Sequence, residues 1–199
     1  MTNEDLAKEI ARGLIETGVE GGYDAVSCSS AGDYPSIGCS QWEGGRADML
    51  LSYIEGGDYF AGRSYSDIKE SGELDYLADL ISSEQGVEAQ LAILADDALA
   101  YVDACIDAGM DDSRCIIYAG MWGPTSTQVL YRFICNRFVE GHDMDNLKEC
   151  AAVFRARYWI SADVGEEYRE GYQNRSDNQY EYVKTLDLGA YGVPEYGEE

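Results

Sequence analysis

The part of this sequence with the clearest chemical potential is an acidic residue at the head of a glycine-rich polar segment. Glu20 follows an amphipathic stretch that predicts a helix, and Gly21 and Gly22 come next. A carboxyl group at a helix C-terminus meets the negative end of the helix dipole, which favours its protonated form. A protonated carboxylic acid beside the leaving oxygen can cleave a glycosidic bond. Gln41 and Trp42, further along the segment, would supply polar and aromatic groups to such a cleft.

The sequence lacks the residues that most other catalytic mechanisms require. His142 is the single histidine, and it lies in the polar sequence EGHDMDN with no nucleophile motif beside it. A Ser-His-Asp or Cys-His arrangement would depend on that residue. The sequence has neither a G-x-x-x-x-G-K-[ST] phosphate loop nor a Rossmann glycine pattern between a strand and a helix. It also has no C-x-x-C pair, so a structural zinc site is not expected. We therefore expect neither a cofactor nor a metal.

The six cysteines leave two interpretations open. In the first, most of them are reduced and buried and act as small apolar residues, as the position of Cys105 on an apolar helical stripe suggests. In the second they form disulfides, and six cysteines can be paired in several different ways. Pairing of sequence neighbours would join Cys28–Cys39, Cys105–Cys115 and Cys135–Cys150.

The charge balance argues against a nucleic-acid partner. The 199 residues include 14 basic and 38 acidic side chains, which gives a net charge of -24. A nucleic-acid binder needs a basic face, and an anionic membrane surface would repel this chain for the same reason. No apolar run is long enough to span a membrane. The N-terminal sequence MTNEDLAKEI is polar and acidic, unlike a signal peptide.

Hydrophobic periodicity predicts a mainly α protein. Leu6, Ile10 and Leu14 recur every four residues and predict a first helix that starts at about Thr2. The clearest later helix covers about 84–108, where one face stays apolar over several turns. Further helices are predicted near 45–54, 73–82, 112–121, 125–139 and 144–159. We expect a single domain over 1–187 with a small β element near 20–41, and an acidic tail containing Gly and Pro over 188–199.

The segment that starts at Glu20 resembles a known family. It reads EGGYDAVSCSSAGDYPSIGCSQWEGGRADMLLSYI. A Glu, an irregular loop and then S-x-G-x-x-Q are similar to the lysozyme-like superfamily, especially lytic transglycosylases. The pattern E-G-x-Y-x-x-V followed by S-[IV]-G-x-x-Q-W more closely resembles peptidoglycan-cleaving modules of phages and Gram-positive bacteria. EAQLAILADDALAYVDACIDAGMDDSRCIIYAGMWG and YREGYQNR are similar to the family's long middle helix and closing helix, so the likeness covers most of 5–187.

The resemblance implies a lysozyme-like fold and a set of site residues. Glu20 would be the general acid, and Asp33 would be the second carboxylate, with Asp24 as the alternative. The substrate-binding residues that it implies are Tyr23, Ser36, Gln41 and Trp42. For Trp42 and Tyr23, packing in the core is an equally open interpretation. The chain departs from the family in having SCSSAGDYPSIG where relatives carry an N-D-N-G turn, and MWGPTS in place of an N-Q-G-G-like turn.

The substrate implied by the resemblance is the glycan strand of bacterial peptidoglycan. Two carboxylates across the bond would give hydrolysis, as in a muramidase. A single acid would give lytic transglycosylation, in which the sugar's own 6-hydroxyl attacks. Such a protein would be a phage endolysin or a virion-associated lysin, with phage tail or virion proteins as candidate partners. It would act at the bacterial cell wall after lysis, phage delivery or another form of export.

Two alternatives remain at the level of sequence. The first is a chitosanase-like glycosidase, because a net charge of -24 would attract cationic chitosan. The second is a catalytically inactive structural protein of a virion or wall, which the departures from the family pattern motivate.

Overall fold

The protein is mainly helical and has one small β-sheet. The structure, a computed structural model, describes residues 1–197. Its elements in chain order are α1 (Asn3–Glu16), β1 (Val26–Cys28), β2 (Pro35–Ile37), α2 (Gly44–Ser52), α3 (Tyr65–Glu70), α4 (Leu74–Ile81), α5 (Glu84–Asp107), α6 (Ser113–Gly120), α7 (Thr127–Val139), α8 (Leu147–Ser161) and α9 (Arg169–Thr185). The mainly α class and the small β element near 20–41 are confirmed. The lysozyme-like identity stays a prediction.

The chain divides into two compact units. One contains Met1–Thr17 and the chain from Ala95 onward, and the other contains Gly18–Leu94. Helix α5 contributes its first half to the second unit and its remainder to the first. The sequence predicts one domain over 1–187, and that boundary stays a prediction. Within 1–197, none of the helices combines the length and apolarity that crossing a membrane requires.

The first unit packs its helices around an aromatic core. Helix α6 is buried from its second residue to its last, as expected for a helix with neighbours on all sides. Trp122 stacks on Phe154 with ring centroids 5.6 Å apart, and Phe154 stacks on Tyr158 at 5.1 Å. Gly120 lets α1 approach α6, because a Cβ at this position would collide with the Ile10 side chain.

The predicted tail begins on the surface of this first unit. Leu188 is buried, and Arg114 donates a 3.3 Å hydrogen bond to the carbonyl of Pro194. Arg114 also binds the carbonyls of Val183 and Leu186 at the end of α9. Residues 198 and 199, the last part of the predicted tail, lie outside the described residues.

The second unit is organised around the β-hairpin. Val26 lies opposite Ile37 and Cys28 lies opposite Pro35, so the connecting loop 29–34 stands at one end of the hairpin. All three residues of β2 are buried, whereas β1 is half-buried to exposed. The apolar core beside β2 consists of Leu50, Leu51, Ile54, Phe60, Ile68, Leu77 and Ile81.

Candidate active site

The turn that follows β2 holds Glu20. The backbone N–H of Gly21 donates to the carbonyl of Cys39 at 2.7 Å, which ties the segment after α1 to this turn. The Ser40 hydroxyl then donates to Oε2 of Glu20 at 2.9 Å. Glu20 is half-buried, and Ser40 is too. The turn after β2 therefore helps to fix the orientation of the carboxyl group that the sequence predicts to be the general acid.

The turn itself has an unusual backbone. Gly38 and Gln41 both adopt left-handed conformations, with φ of 73° and 51°. For a residue with a side chain this conformation costs energy and persists only where surrounding bonds enforce it. Here Ile37 and Trp42 exchange two backbone hydrogen bonds of 2.9 Å and close the turn. The closed turn points successive residues, including Ser40, in fixed directions.

Ser36 of β2 and Gln41 of the turn itself stabilise this turn through hydrogen bonds. The Ser36 hydroxyl donates to the Gln41 carbonyl at 3.0 Å, and Ser36 is only 4% exposed. The Gln41 side chain accepts a 2.6 Å bond from the Ser27 hydroxyl and donates to the Gly38 carbonyl at 3.1 Å. The structure thus brings Ser36 and Gln41 together with each other. It connects them to Glu20 through the turn that carries Ser40.

The two aromatic candidates differ in exposure. Trp42 is 7% exposed, and its ring lies against Gly38, where an added Cβ would come within 3.1 Å of it. This position favours the core interpretation of Trp42. Tyr23 is half-buried, and its carbonyl accepts a bond of 3.0 Å from Nε2 of Gln90. Tyr23 therefore stays open to both interpretations at its ring.

The candidates for a second carboxylate lie apart from Glu20. Asp33 is in the loop 29–34, at the end of the hairpin opposite the turn that holds Glu20. Its Oδ1 accepts hydrogen bonds from the backbone N and the hydroxyl of Ser66, at 3.0 and 2.9 Å, in the first turn of α3. Asp24 is exposed. Among residues 1–197, no described contact joins the Glu20 carboxyl group to either aspartate.

Asp33 lines a cavity of about 260 Å³ in the second unit, which we call the Asp33 cavity. Its floor is apolar and its rim carries two carboxylates and a guanidinium group. The residues that line it are Asp33, Tyr34, Pro35, Gly44, Ala47, Asp48, Leu51, Phe60, Gly62, Arg63 and Ser64. Glu20 and the turn residues 36–42 are not among them.

Gln90 is a central residue of this region that the sequence did not predict. It is fully buried, and its Oε1 accepts from the Cys39 backbone N at 2.8 Å. Its Nε2 donates to the carbonyls of Tyr23 and Ile81, at 3.0 and 2.7 Å. A signal was present, since Gln90 interrupts the apolar stripe of α5 at a position that should face the core. A buried amide is normally hydrogen-bonded, and this one bonds to backbone groups.

The surroundings of Glu20 also affect Cys39. Burial raises the pKa of the Cys39 thiol to about 11, and the negative charge of Glu20 adds to that effect. Cys39 is thus an uncharged thiol near neutral pH. The structure has all six cysteines as free thiols, of which Cys28 is exposed and Cys39 buried. No group of three or more His, Cys, Asp or Glu side chains in 1–197 is arranged to hold a metal ion.

Comparison of the chain with protein-family models, with curated proteins and with solved structures gives no match.

Proposed function

We propose that this protein cleaves the glycan strand of bacterial peptidoglycan, with Glu20 as the general acid. The observation that carries the proposal is the hydrogen bond from Ser40 to Glu20, which holds a half-buried carboxyl group against the turn after β2. The resemblance of 20–54 to peptidoglycan-cleaving modules supports the choice of substrate.

The proposed reaction is a transfer within the substrate. Glu20 gives its proton to the glycosidic oxygen, and the bond between this oxygen and the anomeric carbon breaks. The 6-hydroxyl of the same muramyl residue attacks the anomeric carbon and forms a 1,6-anhydro ring. The proton of that hydroxyl returns to the Glu20 carboxylate, so the acid is regenerated. The reaction consumes no water and needs no second protein carboxylate.

The placement of Asp33 disfavours a retaining hydrolase in which Asp33 would be the nucleophile. A retaining hydrolase needs its two carboxyl groups about 5 Å apart. The paired strands alone separate the two ends of the hairpin by about 7 Å, since two steps of a strand cover this distance. Asp33 and Glu20 each lie beyond an end. Asp33 is also committed to the first turn of α3 through Ser66.

Clearing of purified peptidoglycan tests the proposal. Glu20→Gln keeps the size of the side chain but removes the proton, so we expect clearing to slow by about 100-fold or more. Glu16→Gln is the matched control, because Glu16 is an exposed glutamate four positions earlier at the end of α1. This control should clear at the parent rate. Equal clearing by Glu20→Gln and the parent would rule Glu20 out as the acid.

A chitosanase-like activity is the second candidate function. The net charge of -24 would attract a cationic polysaccharide, and the rim of the Asp33 cavity carries two carboxylates. Release of soluble oligosaccharides from chitosan by the parent, together with no clearing of peptidoglycan, would favour this function.

A further inference from the structure

Two exposed tyrosines and a buried phenylalanine form an aromatic surface in the second unit. Tyr59 and Tyr76 are 56% and 53% exposed, whereas Phe60 between them is buried. The ring centroid of Phe60 lies 5.0 Å from that of Tyr59 and 5.5 Å from that of Tyr76. We call these three residues the tyrosine shelf. Clustered exposed aromatic rings are characteristic of binding surfaces.

A network of polar bonds holds one side of the tyrosine shelf in place. The Tyr59 hydroxyl donates to Oε1 of Glu73 at 2.7 Å. Arg63 lies 2.9 Å from the other Glu73 oxygen, which also accepts a 2.6 Å bond from Ser71. The Arg63 guanidinium lies over the Tyr59 ring at 4.8 Å from its centroid. A ring fixed in this way loses little conformational entropy when a ligand binds.

The tyrosine shelf adjoins the Asp33 cavity. Phe60 and Arg63 belong both to the shelf region and to the wall of the cavity. On the rim, Oδ1 of Asp48 accepts from the Gly62 backbone N at 2.9 Å, as Oδ1 of Asp33 does from Ser66. Within 1–197 the Oδ2 atoms of Asp33 and Asp48 accept no hydrogen bond. These two oxygens can therefore accept bonds from the hydroxyl groups of a ligand.

We propose that the tyrosine shelf and the Asp33 cavity together form a saccharide-binding site separate from Glu20. A sugar ring has an apolar face of C–H groups, which suits the electron-rich face of a tyrosine ring, and hydroxyl groups, which suit carboxylate oxygens. The cavity volume of about 260 Å³ lies below the range typical of drug-sized ligands and fits one ring. The identity of the saccharide as peptidoglycan glycan rests on the proposed function.

The site would hold the protein on the polysaccharide while Glu20 acts at another position of the same polysaccharide. When the polymer is bound at one site of the protein, its effective concentration at a second site of the same protein is raised. The protein would therefore depend on the tyrosine shelf for affinity and on Glu20 for bond cleavage, so the two roles can be separated by mutation.

Isothermal titration calorimetry of the Glu20→Gln protein tests this site, with soluble peptidoglycan glycan strands stripped of their peptides as the probe. We expect the additional pair Tyr59→Ala and Tyr76→Ala to raise Kd at least tenfold. Additional Tyr59→Phe and Tyr76→Phe substitutions keep the rings and should retain most of the affinity. Tyr168→Ala is the matched control, since Tyr168 is 59% exposed and lies in the other unit, and it should leave Kd unchanged. Thermal unfolding of each variant confirms that it is folded.

The outcomes separate this inference from the proposed function. An unchanged Kd in the double alanine variant, or no binding of stripped strands by any variant, overturns the saccharide site even if the parent cleaves peptidoglycan. Binding that requires the stem peptides also overturns it. Tyrosine-dependent binding of stripped strands supports the site, even if the parent proves unable to cleave them.

Discussion

The Ser40 hydroxyl helps to orient the Glu20 carboxyl group. It donates to Oε2 at 2.9 Å, and hydrogen bonds to a carboxylate contribute about 1.5–3 kcal/mol. We predict that Ser40→Ala lowers kcat for soluble glycan strands by about tenfold or more. KM should change little, because this hydroxyl acts on the acid rather than on the substrate.

The kinetics of two further variants check this role. Ser40→Thr keeps a hydroxyl and should recover most of the kcat lost in Ser40→Ala. Ser52→Ala removes an exposed hydroxyl that bonds only within α2, and it should match the parent. A drop in kcat that Ser40→Thr fails to recover would assign Ser40 a packing role instead.

Among the elements, the turn 38–42 depends on α5 through Gln90. Gln90 satisfies the Cys39 N–H and the carbonyls of Tyr23 and Ile81. Gln90→Leu would leave these groups buried without partners, at about 1–3 kcal/mol each. We therefore predict a loss of about 3 kcal/mol or more in the free energy of unfolding, measured by urea denaturation. The exposed residue Gln128 provides the control, since Gln128→Leu should change the stability by less than about 0.5 kcal/mol.

The connection between α3 and α4 carries a pH-dependent interaction. Hydrogen bonds from Ser71, Tyr59 and Arg63 lower the pKa of Glu73 from the usual 4.5 to about 2. A carboxyl group with a lowered folded-state pKa stabilises the protein above its unfolded-state pKa, and this stabilisation is lost as the pH falls through the lowered value. We predict that Glu73→Gln lowers Tm at pH 7 and that the difference from the parent shrinks as the pH falls from about 4.5 towards 2.

Differential scanning calorimetry over this pH range measures the effect. Glu70→Gln, on the exposed surface of α3, serves as the control and should follow the parent at every pH. A Glu73→Gln deficit that stays constant from pH 7 to 2 would contradict an ionic origin.

Periodicity and caps explain which elements the sequence predicts well. The start of α1 is confirmed, because Thr2 and Asp5 form the capping box that such a sequence favours. Helices α7 and α8 begin two to three residues later than predicted, because Ser126 and Asn146 accept backbone N–H bonds as N-caps. Helix α3 was missed, since its six residues bury only Ile68 and show no helical period.

The sequence predicts the candidate site only in part, because some of the contacts that build it join distant segments of the chain. Glu20 and the turn after it are marked by glycines and polar residues in order along the chain. The role of Gln90 depends on a contact with Cys39 across 51 positions, which no local pattern encodes. The hydrogen bond between Asp33 and Ser66 likewise joins distant segments of the chain. Ser66 belongs to α3, which the sequence did not predict.

For the molecule as a whole, the amino-acid composition limits which partners can bind, and the fold determines where the proposed site residues lie. A net charge of -24 disfavours nucleic acids as partners and would attract a cationic polysaccharide. The second unit, Gly18–Leu94, contains Glu20 with its turn, the Asp33 cavity and the tyrosine shelf. The proposed cleavage and the proposed saccharide binding therefore belong to one compact unit.

Mass spectrometry of the products released from purified peptidoglycan tests both the role of Glu20 as the acid and the transfer chemistry. The parent and Glu20→Gln are incubated side by side, and the ends of the soluble fragments are identified. We predict 1,6-anhydro muramyl ends from the parent and no fragments above background from Glu20→Gln. Reducing ends from the parent would contradict the transfer chemistry, and identical fragments from both proteins would contradict the assignment of Glu20 as the acid.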